Sequence, residues 1–368
     1  MNDILARLIS IPTVSGDQTA MHQLLNYVAS FVVSRGMHVE WYESNGFESI
    51  VATTRGHRKT PKVLLAAHAD VVPADEPAFT LTERDGRLYG RGAIDMKFAI
   101  AAYMDLIDSL VSNLDDYDFG LMITGDEELG GLNGAAKLVD EGYIPQVCIL
   151  PDGGDDWQIQ TSSKGFWAFE ISTTGRSAHG SRHWQGDNAI TKLLATLEEI
   201  TGLFEDPSRQ SKDTNTVSLN LLNGGVAMNQ VPESASMTID VRTTDAAEHA
   251  RIYEAVTAIC RRHGAAYRHV SDCAPTSFDL QDPLIAPFAR LIAERTGVAQ
   301  NGYHALGSSD ARFYVPFGVP CISVYPTGGN LHAEDEWIDA EAFQHFRAIL
   351  GDYMEQIART DGMSPPQV

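Results

Sequence analysis

Apolar residues recur along the first third of the chain in two alternating rhythms. Between Gln18 and Ser34 they return every three to four positions, as on one face of a helix, and Gly36 ends the run. Short apolar stretches at Met37 to Tyr42, Ser49 to Thr53 and Val63 to Ala67 then predict strands. Lys97 to Leu114 reads as a helix with a broad apolar face. A strand at Phe119 to Thr124, a helix at Ala135 to Asp140 and a strand at Val147 to Leu150 follow. Strands separated by helices predict an α/β fold with a mixed, largely parallel sheet flanked by helices.

From about Ser162 the grammar changes. A strand (Gly165 to Thr173), a helix (Ala189 to Ile200), two strands (Val217 to Leu222, Ala235 to Val241), a helix (Ala247 to His263) and a strand (Ala266 to Val270) succeed one another. That β-α-β-β-α-β order predicts a ferredoxin-like α+β domain inserted into the first. Pro320 to Tyr325 reads as a buried strand rejoining the first layer, between helices at Pro283 to Arg295 and Ala340 to Ala358. The expected division is one domain over 1–161 and 275–368 and an insert over 162–274, with a disordered tail from Asp361 to Val368.

Composition narrows the function. The chain has 368 residues, with 27 Lys and Arg against 49 Asp and Glu, a net charge of −22. No basic stripe offsets that excess, so neither nucleic acid nor an anionic membrane surface is an expected partner. The first residues lack the basic and apolar regions of a signal peptide, and no apolar run is long enough to span a bilayer, so the expected location is cytoplasmic. Four cysteines, Cys148, Cys260, Cys273 and Cys321, show no paired spacing and read as reduced thiols. Twelve histidines are the better place to look for metal.

Candidate chemistry sits just after the predicted strands of the first layer, where open α/β sheets place their sites. Val63-Leu-Leu-Ala-Ala runs into His68-Ala-Asp70, and the strand period of two points His68 and Asp70 the same way. Asp70 can orient His68 or stand behind another ligand. Gly90-Arg-Gly-Ala-Ile-Asp95-Met-Lys delivers one carboxylate from a glycine turn ahead of a helix, suited to bridging two cations. Gly125-Asp-Glu127-Glu128 places adjacent glutamates at a strand end, one for metal and the other for protons. Asp152 ends another apolar run, and Gly328-Gly-Asn-Leu-His332-Ala-Glu-Asp-Glu supplies a second imidazole. Singly, each reads as a cap, a turn or a hydrogen-bonded histidine. Jointly, so many carboxylates beside two imidazoles would repel one another unless cations neutralised them. Mixed imidazole and carboxylate donors suit Zn²⁺, with Co²⁺ or Mn²⁺ as substitutes, and their number exceeds one tetrahedral site.

In order and spacing these segments resemble the di-zinc exopeptidase and deacylase family of carboxypeptidase G, aminoacylase, acetylornithine deacetylase, succinyl-diaminopimelate desuccinylase and bacterial dipeptidases. The resemblance implies two zinc ions per subunit, one held by His68, Asp95 and Asp152 and the other by Asp95, Glu128 and His332, with Asp95 bridging. Glu127 would be general base toward a metal-activated water, and Asp70 the partner of His68. It also implies that the insert is a lid and dimerisation domain. There Gly175-Arg-Ser-Ala-His179-Gly-Ser resembles the family segment whose histidine stabilises the oxyanion in a partner subunit, which implies a homodimer. Asn229, Arg242 and Ser308 resemble substrate-contacting positions; the alternative role of Arg242 is pairing with a sheet-face acid. Relatives acting as carboxypeptidases or desuccinylases tend to carry Glu where this chain has Asp152, whereas its Gly307-Ser-Ser-Asp-Ala-Arg loop looks closer to the desuccinylases. Phe98 stands where many relatives have a small residue.

The expected function is hydrolysis of the amide or peptide bond of a small N-acyl amino acid or short peptide. A desuccinylase-like or acetylornithine deacetylase-like biosynthetic deacylase is the alternative within the family. A non-catalytic metal- or ligand-binding protein on the same scaffold and a di-metal phosphoesterase are the alternatives of other classes.

Overall fold

The computed structural model describes residues 1–205 and 214–360, so the tail from Asp361 to Val368 lies outside the described residues. Its strands β1 (His38–Ser44), β2 (Phe47–Thr53), β3 (Val63–His68), β4 (Phe119–Thr124), β5 (Val147–Ile149) and β6 (Cys321–Ile322) form one sheet in the order β1-β2-β4-β3-β5-β6. The β1/β2 and β2/β4 pairings are antiparallel, and β3/β4, β3/β5 and β5/β6 are parallel. Every residue of β3, β4 and β5 is buried, as expected for parallel strands covered on both faces. Because these strands run the same way, His68 and the loops carrying Glu127 and Asp152 emerge at one edge.

Helices cover the sheet where the sequence period predicts them. Gln18–Val33 begins at Asp17, whose carboxylate accepts the amides of Thr19 and Ala20. Lys97–Leu110 has ten buried residues and is a core helix rather than an amphipathic surface one. It stops four residues before the predicted end, because Ser112 and Asn113 favour a turn, and Leu114–Asp116 continues as a short 3₁₀ segment. Phe98 is fully buried there and meets Phe346 edge-on at 5.2 Å and Phe343 at 6.4 Å, from the helix Ala340–Ile357. The N-terminal helix Asn2–Ile9 was not among the predicted elements, although Leu5, Leu8 and Ile9 are spaced to bury one face.

A second, four-stranded sheet runs Gly328–Gly329, Trp337–Asp339, Arg87–Tyr89, Thr82–Arg84. Its strands are two or three residues long, too short to register as a hydrophobic pattern, yet the pairing of Trp337 with Tyr89 brings the loop before Asp95 beside the loop after His332.

The chain divides into two compact units. One comprises Met1–Thr161, Ser277–His304 and the chain from Ser309 on; the other comprises Ser162–Thr276 and Ala305–Ser308. The second unit holds an antiparallel sheet in the order Thr216–Gly224, Ser234–Thr243, Gly165–Thr174, Ala266–Cys273, with helices Ala189–Thr201 and Ala246–His263. This is the ferredoxin-like order. Alternate residues of Ser234–Thr243 are buried, and Met237, Ile239 and Val241 pack with Trp167, Phe169, Leu193 and Val256 into a separate core. All four cysteines are free, including Cys148 and Cys321, which sit opposite one another on β5 and β6. Among the described residues no helix is long and apolar enough to cross a membrane.

Candidate metal centre

The strand-end residues of the first unit converge. Donor atoms of His68, Glu127 and Asp152 lie within 4.8 Å of one another, and so do those of Asp95, Glu128 and His332. Asp95 joins the two groups, presenting Oδ1 to His68 Nε2 at 3.1 Å and Oδ2 to His332 Nε2 at 3.0 Å. His332 Nε2 also lies 3.3 Å from Glu128 Oε1. The backbone at His332 is left-handed, with φ of 63°, a conformation that costs a non-glycine residue about 1 kcal/mol or more and here turns the imidazole toward the carboxylates.

Two buried carboxylates hold the backbone that carries these groups. Asp70 accepts the amides of Glu127 and Glu128, both at 3.1 Å, and the Ser15 hydroxyl at 3.0 Å. His68 Nδ1 is nearer to the Asp70 carbonyl, at 3.0 Å, than to its carboxylate, at 3.5 Å. Asp70 therefore orients His68 through the main chain and aims the paired glutamates with its side chain. Glu336 does the same for the glycine turn. Its Oε1 accepts the amides of Ile94 and Asp95 at 2.9 and 3.0 Å, and its Oε2 accepts the Gly92 amide at 2.9 Å and Arg91 Nη1 at 2.7 Å. Arg91 also donates to the His332 carbonyl at 3.1 Å, tying the two loops together. Gly92 is left-handed, with φ of 86°, and a Cβ there would lie 2.9 Å from Lys97.

Glu336, Arg91 and Tyr325 have no role in the sequence-based reading, although Glu336 and Arg91 lie inside its motifs. Their signal is a charged residue beside a ligand with no ligand duty of its own. Tyr325, at the end of the apolar run that contains β6, donates to Asp152 Oδ1 at 2.7 Å and carried no such signal.

The electrostatics are those of a site that wants positive charge. Burial pushes Asp152 up to about 6, and Glu127 is raised well above its ordinary value by burial and by Asp152. Burial also opposes ionisation of Asp95, but bonds to His332 and His68 hold it well below the usual carboxylate range. His332 is pushed up to about 10 by Asp95 and Glu128. His68 is likewise raised, since Asp70 and Asp95 outweigh its desolvation. Protons on the two imidazoles supply the charge that cations would otherwise bring. Asp152 Oδ2 is buried with no hydrogen-bond partner among the described residues. A carboxylate oxygen left that way costs a few kcal/mol unless a cation meets it. Two nitrogen donors, several carboxylates and that orphaned oxygen fit a pair of transition-metal sites.

The other predicted residues lie in the second unit. His179 precedes the 3₁₀ turn Gly180–Gln185, and its Nδ1 accepts the Ser181 amide at 3.2 Å, which leaves the proton of the neutral ring on Nε2. The Asn229 carbonyl accepts the Gly180 amide at 2.7 Å, so the structure brings these two segments together. Arg242 is not free. It grips Asp240 with Nε at 2.9 Å and Nη2 at 3.1 Å, and its guanidinium lies 4.5 Å from the Phe166 ring. Ser308 Oγ lies 3.0 Å from Cys273 Sγ.

An α/β layer with paired cation-binding groups at its parallel strand ends, and an inserted α+β unit, define a metallohydrolase of the peptidase and deacylase class. The chain belongs to peptidase family M20/M25/M40, whose model matches residues 64–356. It is 26% identical to the succinyl-diaminopimelate desuccinylase of Acidiphilium cryptum (strain JF-5), covering 97% of both chains. Its fold is similar to that of a Staphylococcus aureus tripeptidase, with TM-score 0.79 at 18% identity over 96% of this chain and 97% of the other. An M20 family metallo-carboxypeptidase from Sulfolobus solfataricus gives TM-score 0.76 at 16% identity over 95% and 97%.

Proposed function

We propose that this protein hydrolyses the amide or peptide bond of a small N-acyl amino acid or short peptide at a di-zinc centre. The observation that carries the reading is Asp95, one carboxylate whose two oxygens face two different imidazoles and so link the group of His68, Glu127 and Asp152 to that of Glu128 and His332. His68, Asp95 and Asp152 would hold one zinc, and Asp95, Glu128 and His332 the other. The bound ions would supply Lewis acidity and make water a nucleophile near neutral pH. Glu127, its proton affinity raised by burial and by Asp152, takes a proton from the attacking water and returns it to the leaving amine. His179 presents an Nε2 proton as oxyanion donor, and we assign it to the site of a partner subunit. A homodimer through the inserted unit is supported by its edge strand Thr216–Gly224, on which Leu219, Leu221 and Leu222 are exposed. Asn229 and Ser308 are proposed substrate contacts. Arg242 would have to leave Asp240 to serve as one.

A desuccinylase-like reading is favoured by the full-length match to succinyl-diaminopimelate desuccinylases, and opposed by Asp152 in place of the longer acid. A panel of N-succinyl and N-acetyl amino acids and dipeptides, assayed with zinc or cobalt, separates the two. Glu127→Gln should lower kcat by at least about 10²-fold while metal content stays constant. Undiminished turnover would refute Glu127 as the base.

A further inference from the structure

A third group of ligand-bearing side chains lies outside the centre described above. His38 and Glu40 are two residues apart on β1, an edge strand, and so project from the same face. In the β1/β2 register His38 stands opposite Thr53, the last residue of β2. The chain then turns immediately, with the Thr53 hydroxyl donating to the Gly56 carbonyl, and returns His57 to the same face. His38 Nε2 lies 3.0 Å from His57 Nδ1, and His57 Nδ1 lies 3.0 Å from Glu40 Oε1.

We propose that His38, Glu40 and His57 bind a first-row divalent transition-metal ion, with Zn²⁺ as the probe. The three donor atoms lie within 4.8 Å of one another, and ligands ~2.0–2.2 Å from a tetrahedral zinc are spaced by roughly 3.3 Å. Hydrogen bonding accounts poorly for the cluster, because the single Nδ1 of His57 faces both a ring nitrogen and a carboxylate oxygen and has at most one proton to offer. Two imidazoles and one carboxylate suit Zn²⁺, Ni²⁺ or Cu²⁺ and not Mg²⁺ or Ca²⁺.

The surroundings orient the carboxylate. The buried Tyr143 donates its hydroxyl to Glu40 Oε2 and shares a 3.0 Å hydrogen bond with Tyr42, which leaves Oε1 turned toward the histidines. The His57 side chain is 72% exposed and that of Glu40 25%, so water has access to complete the coordination. A bound ion would tie the loop after β2 to the edge strand.

The test uses the full chain, stripped with chelator, dialysed against Zn²⁺ alone and analysed for bound metal. The double variant His38→Gln/His57→Gln should retain one Zn²⁺ per chain fewer than the unmodified protein. Equal metal content would overturn the proposal. His57→Gln alone, at an exposed loop position, repeats the comparison if the double variant fails to fold, and should lower Zn²⁺ affinity at this site at least tenfold. The readout is a difference between chains that share the catalytic centre. A failure of the di-zinc reading would change both totals and leave the difference intact.

Discussion

Replacing Glu336 by Gln changes one atom and tests how the bridging carboxylate is held. Both Glu336 oxygens accept two hydrogen bonds, Oε1 from the Ile94 and Asp95 amides and Oε2 from the Gly92 amide and Arg91. Whichever way the new amide is turned, its NH₂ faces two donors, so two bonds are lost and Arg91 keeps a buried charge without its partner. Bonds to an ionised group contribute about 1.5–3 kcal/mol each, and breaking a buried ion pair costs about 3–5 kcal/mol. The expected loss is ~3–5 kcal/mol, measured by urea unfolding of metal-free protein followed by circular dichroism. Because Asp95 rides on the same turn, metal affinity should fall by about 10–100-fold in a zinc titration. A stability change below about 1 kcal/mol together with unaltered zinc affinity would refute the reasoning.

Three further predictions rest on single contacts. Tyr325→Phe removes the donor to Asp152 Oδ1 and should weaken zinc binding by about 10-fold or more, read by competition with a chromophoric chelator. An unchanged affinity would mean that Tyr325 does not position Asp152. Lys97 is fully buried, donates to the carbonyls of Leu8 and Ile11, and is held down to about 7 by burial. Lys97→Met removes one donor from each carbonyl, which keep only the amides of Ile11 and Thr13, and should destabilise by about 1–3 kcal/mol, whereas a more stable variant would show that desolvation of the amine outweighs its bonds. His179→Ala should cost kcat rather than KM, by about 10²-fold or more, in a protein that sedimentation shows to be dimeric. A fully active monomer would end the cross-subunit assignment.

Periodicity was enough to place the six strands of the main sheet and the ferredoxin-like insert, since each strand or helix carries its own apolar pattern. Phe119–Thr124 and Ala135–Asp140 have the predicted bounds, and most other boundaries shift by one to three residues. The late strand is the main exception. Pro320 to Tyr325 is apolar apart from Ser323, but only Cys321–Ile322 pairs, because its partner β5 is itself three residues long. The short strands of the second sheet were not legible, since two or three residues cannot display a period.

The same division runs through the site. The ligand-bearing residues are local features, acids and imidazoles placed immediately after apolar strands, and their chemistry alone called for cations. What each oxygen faces is not local. Glu336 and Asp95 are 241 positions apart, and their loops meet only because Trp337–Asp339 pairs with Arg87–Tyr89. That pairing made Glu336 a support for the bridging aspartate. The amide donors to Asp70 likewise made its carboxylate an anchor for the two glutamates more than for His68. Residue type determined which groups could bind metal, and the meeting of distant backbone segments decided how each one is aimed, because a carboxylate's direction is set by the donors that surround it.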